Sequence, residues 1–247
     1  MRKSLVSFAA VSFLAVASAA SAAVVNIDIN TATSATYSGQ GALATTGNLW
    51  NGVLGGAVAS NLYASDGTQM TASFIVTQKD DFTPGSSASN IATSSAVVGT
   101  GADLLNDGAT ASNNDGPLSQ YFQISGLDPS SSYTLVLYST WGRESFDPYW
   151  GGRTGGSFSN VGDSSIRYST TSLSASGTVF RDGVDYKTFT TNSTAGGVIK
   201  GQFNANSTSA MFNGLQVSGN FTQVPEPTAL AVIGLASTLL MRRRRAR

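Results

Sequence analysis

The residues in this sequence best suited to chemistry are aromatic and acidic. Trp141, Phe146, Tyr149 and Trp150 fall within ten residues, interleaved with Arg143, Glu144 and Asp147 and followed by Arg153. Flat aromatic faces beside hydrogen-bonding groups can stack a sugar ring and hold its hydroxyls. Trp141, Arg143, Tyr149, Trp150 and Arg153 therefore form a candidate carbohydrate platform; the alternative is an apolar cluster pinning a long loop. Asp and Asn gather at Asp80-Asp81, over 103–108 and over 113–116. Calcium takes roughly six to eight oxygens from carboxylates and carbonyls, and glycine permits the turns such cages need. Asp103, Asn106, Asp107 and Asp115 are the candidate ligands, and calcium is the one cofactor the sequence invites. None of these stretches has the D-x-[DN]-x-[DN]-G spacing, and Asp and Asn also make ordinary solvated turns.

Two absences exclude more than any motif admits. There is no His and no Cys in 247 residues. That removes the Ser-His-Asp triad, His-ligated zinc and haem, thiolate nucleophiles, Fe–S clusters and disulfides. Gly162-Asp163-Ser164 resembles the nucleophile block of GDS-type esterases, but no imidazole exists to take the serine proton. Paired-carboxylate glycoside hydrolysis needs two carboxyls ~5–9.5 Å apart; Glu144 is the one Glu between residues 23 and 223, and the Asp residues sit in Gly/Asn-rich turns. No P-loop, dinucleotide fingerprint or HExxH occurs. The expectation is a non-enzymatic protein, with an Asp-dependent hydrolase as the outside alternative.

The elements that would position these residues are strands. Val25, Ile27 and Ile29 alternate with Asn26, Asp28 and Asn30, the pattern of a half-buried strand. Comparable runs recur at 70–78, 118–125, 132–139, 164–171, 184–191, 197–204 and 210–218, separated by Ser/Gly/Asn/Asp clusters. No amphipathic helix of ten or more residues is evident. Many short strands with turn signals predict an all-β fold, a jelly-roll-like or fibronectin-like β-sandwich. Leu127-Asp128-Pro129 with Tyr133 opening a hydrophobic strand resembles a tyrosine corner, whose hydroxyl bonds back to the preceding loop. The stretch 211–217 reads as a closing strand with a glycine bulge. Residues 83–114 and 142–162 read as loops, the first long enough to suggest a further strand near 96–98. Residues 222–227 read as a linker.

Both ends read as addresses. Met1-Arg2-Lys3, an apolar run of 13 residues over 5–17 and a small-residue end make a secretory signal peptide. Such a run spans only ~20 Å, short of a ~30 Å hydrocarbon core. Cleavage is expected after Ala22, from Ala20-Ser21-Ala22, or after Ala23. At the other end, Val224-Pro225-Glu226-Pro227 precedes an apolar stretch of 14 residues over 228–241, then Arg242, Arg243, Arg244, Arg245 and Arg247. The prolines enforce an extended entry, and the arginines stop transfer on the cytoplasmic side. The expected division is a signal peptide over 1–22, a β-domain over 23–221 and a sorting segment over 222–247.

Pro-Glu-Pro, a short apolar helix and a terminal Arg cluster on a chain with a signal peptide resemble the PEP-CTERM sorting signal. The resemblance covers residues 224–247. It implies a secreted protein of a Gram-negative, polysaccharide-producing bacterium, with a membrane exosortase acting at Val224, Pro225, Glu226 and Pro227. Implied partners are the Sec translocon, signal peptidase and exosortase, with transient inner-membrane anchoring before transfer to the cell surface or matrix. Extracellular polysaccharide is the further candidate partner. The formal charge of zero hides an acidic body: residues 23–223 carry seven Lys+Arg against 13 Asp+Glu, a net −6. That argues against nucleic acid and anionic lipid as partners. The expected role is a structural or adhesive component of the envelope or biofilm matrix, with a carbohydrate-binding module as the alternative.

Overall fold

The structure, a computed structural model, describes residues 20–78, 91–93, 102–112, 120–139, 146–149, 180–182, 185–205 and 209–225. In chain order these form β1 (Ala20–Asn30), β2 (Asn51–Leu54), β3 (Ser73–Thr77), β4 (Ile91–Thr93), α1 (Ala102–Leu105), β5 (Asp107–Ser112) and β6 (Gln120–Ser125). There follow β7 (Ser132–Ser139), β8 (Phe146–Tyr149), β9 (Tyr186–Asn192), β10 (Ile199–Ala205) and β11 (Ser209–Thr222). The protein is all-β, its one described helix being four residues long. Among the described residues no helix is long and apolar enough to cross a membrane; residues 1–19 and 226–247, which carry most of both predicted address segments, lie outside them.

The strands make two sheets. One runs β2-β1-β11-β5-β4, with β7 also on β11 and β9 beyond β7; the other runs β3-β6-β10-β8. All pairs are antiparallel except β1 with β2. Period-two side-chain alternation then sends Val25, Ile27 and Ile29 of β1, Leu135 and Leu137 of β7, and Leu215 and Val217 of β11 into one core with Phe74, Val76, Phe122, Ile124 and Ile199 of the smaller sheet. Each such side chain, fully buried, stabilises the fold by ~1.5–3 kcal/mol. Phe122 and Phe212 meet across the gap between sheets with ring centroids 5.4 Å apart.

The 14-residue β11 is the central strand. Its residues 214–218 pair with β1 and with β7, and Phe212 pairs with both Ala109 of β5 and Ser139 of β7. Since a strand has two edges, β1 and β5 share one edge of β11, β5 taking over where β1 ends. The changeover is a bulge: the β11–β7 register shifts between Phe212 and Gly214, which matches the glycine bulge expected there. Asn213, the extra residue, donates its amide to the carbonyls of Leu105 (3.1 Å) and Asp107 (2.6 Å).

The tyrosine corner forms as expected. Tyr133 accepts the Asp128 N–H at 2.8 Å and donates its hydroxyl to the Asn220 carbonyl.

Four expectations need correction. The polar side of β1 is buried, not solvated: Asn26, Asp28 and Asn30 are as inaccessible as Val25, Ile27 and Ile29. The segment 31–50 lies over that face and forms a second cluster there, in which Tyr37 and Trp50 pack with Leu104, Leu105, Val136 and Tyr138. The stretch 83–114, read as a loop with a further strand near 96–98, contains β4, α1 and β5, while 96–98 lie outside the described residues. Its strands escape a hydrophobic-period reading because β5 is Asp-Gly-Ala-Thr-Ala-Ser, and its small residues let backbones approach closely: a Cβ on Gly108 would stand 2.4 Å from the Phe212 carbonyl oxygen. Likewise β8 lies within the expected loop 142–162. It pairs only with β10 among the described strands, an edge position that tolerates Pro148, which has no N–H to donate. Finally, 222–224 are not free linker. Thr71 N–H donates to the Thr222 carbonyl and Val224 N–H to the Gln69 carbonyl, both at 2.9 Å.

Candidate functional site

The polar face of β1 and the bulge in β11 meet in a buried hydrogen-bonded layer. One half is fully satisfied. Asn26 donates to the Leu49 carbonyl (2.9 Å) and accepts from Gln216 Nε2 (2.9 Å). Gln216 Oε1 accepts from Leu43 N–H (2.8 Å) and from the Tyr138 hydroxyl (2.6 Å), and that hydroxyl accepts the Ala42 N–H (2.6 Å). Trp50 donates its indole N–H to the Gly39 carbonyl at 2.9 Å. Every donor finds an acceptor, so this half fixes the 39–50 segment to the sheet.

The other half is acidic. Asp28 closes the β1–β11 pairing opposite Gly214, and Asp107 opens β5. Asp28 Oδ2 accepts the Tyr37 N–H at 2.7 Å. Asn30, its amide nitrogen turned to Asp28, donates to Oδ2 (2.8 Å) and Oδ1 (3.1 Å) while its oxygen accepts from the Thr36 hydroxyl (3.0 Å). Asp107 Oδ2 receives the Thr31 N–H at a long 3.4 Å, and the Ser34 hydroxyl and Asp107's own backbone N–H also act on this carboxyl. Its other oxygen, Oδ1, is buried with no hydrogen-bond partner. Leaving a buried acceptor unpaired costs ~1–3 kcal/mol, more when charged.

The electrostatics follow from this burial. Burial pushes the Asp28 carboxyl up to about 8 against the pull of the Tyr37 N–H, and the charges of Asp107 and Asp103 raise it further while Asn30 opposes them. Asp107 is raised too, first by burial, with Ser34 and Thr31 opposing and Asp103 adding to the rise. None of the groups acting most strongly on either carboxyl is a base, and residues 31–50 contain no charged side chain at all.

The sequence-predicted residues divide three ways. Asp103, exposed in α1, acts electrostatically on Asp107, with Asn106 between them in sequence; Asp115 lies outside the described residues. Of the carbohydrate platform, only Tyr149 is described, in β8 opposite Gln202; Trp141, Arg143, Trp150 and Arg153 lie outside the described residues. Ala20, Ala22 and Ala23 lie in β1 opposite Thr222, Asn220 and Gly219. Val224 is bonded to Gln69 and Pro225 is exposed, whereas Glu226, Pro227 and the five terminal arginines lie outside the description. The sequence reading missed Asp28, Thr31, Ser34 and Tyr37. The signal was present in Asp28, a carboxylate at the middle of three polar positions of a strand, but the strand's polar face read as solvent-facing.

Among the described residues no three His, Cys, Asp or Glu side chains group as a metal cage. No family model matches the chain, and neither does a curated protein. A solved structure, the enzymatically active domain of bacteriophage CBA120 tailspike protein 4, is similar at a TM-score of 0.29 and 13% identity, over 61% of this chain and 19% of that one. So slight a likeness carries no argument about this chain's function.

Proposed function

We propose that this is an exported, non-enzymatic extracellular protein, a structural or adhesive component of the cell envelope or exopolysaccharide matrix, built on a jelly-roll-like sandwich. On this reading it is secreted through its signal peptide, held at the inner membrane by residues 228–241, and released by an exosortase acting at Pro225-Glu226-Pro227. The observation that supports it most is the pairing of β1 with β11 in which Ala20 stands opposite Thr222. Both predicted processing segments leave the body at the same end of one strand pair. That geometry suits a precursor with apolar segments at both ends, each flanked by basic residues kept in the cytoplasm, standing on the outer face of one membrane. The chain's lack of His and Cys supports the non-enzymatic part.

The test is Pro225→Ala with Glu226→Ala in the native host, followed by fractionation. The double variant should remain full-length and membrane-bound while the wild type is shortened and released. Normal release of the variant would overturn the sorting reading.

A further inference from the structure

Among the described residues no basic side chain stands among the groups acting on the buried acids at the β1–β5 changeover, and their hydrogen-bond partners are donors. Every named partner of Asp28 is a donor: the Tyr37 N–H and the Asn30 amide. Donors alone favour the ionised form, yet burial and two neighbouring carboxylates work against it. Asp107 presents the complementary defect, a buried oxygen with nothing to accept. Beside it stand two hydroxyls, Thr31 Oγ1 and Ser34 Oγ, hydrogen-bonded to each other, with the Thr31 N–H and the Ser34 hydroxyl turned to the Asp107 carboxyl. Asp103 adds negative charge from the exposed α1.

We propose that Asp107 and Asp28 bind a hard divalent cation of the calcium class, with the Thr31 and Ser34 hydroxyls contributing neutral oxygens. Hard cations accept mixed sets of carboxylate, hydroxyl, carbonyl and water oxygens, so two carboxylates suffice as the charged ligands. The cation would give Asp107 Oδ1 its missing partner and neutralise a pair that no base among the described residues compensates. It would also tie together three segments: the end of β1, the 31–37 stretch and the start of β5. The site is independent of the export reading, since it rests only on residues of the folded body.

The probe is terbium, then calcium, added to the purified full chain after treatment with a chelator. Tyr37, whose N–H bonds Asp28, and Trp50, whose ring lies 5.2 Å from the Tyr37 ring, are near enough to sensitise terbium emission. Expected are saturable emission on tyrosine and tryptophan excitation, its displacement by calcium, and a rise in Tm with calcium. The isosteric Asp107→Asn should weaken calcium binding at least tenfold. Ser34→Ala, which keeps both carboxylates, should weaken it less while leaving the fold intact should Asp107→Asn prove poorly folded. Absence of saturable emission with no effect of calcium on Tm overturns the proposal. So does unchanged binding in both variants, or an Asp107→Asn protein more stable than calcium-saturated wild type, which would mark the pair as sharing a proton instead.

Discussion

Tyr133 joins two segments through one oxygen atom: its hydroxyl accepts the backbone N–H of Asp128, five residues earlier, and donates to the carbonyl of Asn220, 87 residues later. The ring beneath is fully buried and packs edge-on against Phe221, with centroids 5.6 Å apart. The corner thus locks the entry of β7 to the far end of β11, beside Thr222, the last residue of that strand. Removing the hydroxyl leaves a backbone donor and a backbone acceptor short of a partner, so Tyr133→Phe should destabilise the protein by ~1–3 kcal/mol. Urea unfolding should show a lower midpoint with an unchanged slope, since the buried area is the same.

Tyr138 predicts an alkaline limit to stability. Burial holds its phenol well above the usual tyrosine value, against the opposing Ala42 N–H, with Tyr186 and Tyr37 adding to the rise. A proton held more tightly in the folded chain than in the unfolded one stabilises the fold fully below pH ~10 and is lost progressively as pH rises past it. The deprotonated oxygen would face the lone pairs of Gln216 Oε1, which now accepts its proton at 2.6 Å. Tyr138→Phe should be less stable than wild type at pH 7, because the Ala42 N–H loses its acceptor. The gap between the two proteins should narrow above pH ~10. Thermal melts of both proteins between neutral and strongly alkaline pH measure it; a constant gap would contradict the assignment.

Two glycines separate steric need from backbone need. Gly67 has a φ of +91° and open space around a Cβ, whereas a Cβ on Gly108 would lie 2.4 Å from the Phe212 oxygen and 2.8 Å from the Asn213 Cα. Gly67→Ala should cost ~1–2 kcal/mol, the left-handed backbone penalty alone. Gly108→Ala carries a clash with the neighbouring strand as well, worth a further ~1–3 kcal/mol. It should therefore lower Tm by clearly more, and widen the β5–β11 changeover that holds Asp107.

These contrasts show where the sequence speaks and where it is silent. Period-two runs disclosed β1, β7, β9, β10 and β11 because their inward residues are large and apolar, as Leu135 and Leu137 or Leu215 and Val217 are. They missed β5, whose Ala109 and Gly108 are small because backbones close in on them. The tyrosine corner was legible because its geometry is local, spanning residues 127–133. The acidic pair was not, since Asp28 and Asp107 are 79 positions apart and meet only because β5 succeeds β1 along one edge of β11. Nor could alternation reveal that Asn26, Asp28 and Asn30 face a covering segment: a polar residue facing water and one facing Tyr37 or Gln216 look alike in sequence.

The boundary of the folded body makes a last prediction, about where the chain is cut. Among the described side chains of β1 the first fully buried is Val25, while Ala22 is exposed and Ala23 half-buried. Cleavage after Ala22 removes the pairs Ala20↔Thr222 to Ala22↔Asn220 but keeps Ala23↔Gly219 through Asp28↔Gly214. The side chains lost are small, so the shortened protein should unfold at the same denaturant midpoint as one retaining Ala20. Cutting after Val25 instead would remove a buried side chain worth ~1.5–3 kcal/mol and three further strand pairs. If the chain is exported as proposed, intact mass of the released protein should therefore place its N-terminus at Ala23 or Val24. An N-terminus at Asn26 or later would mean that β1 is not the structural start of the mature domain, since Val25 would no longer be present to fill the core beside Val217.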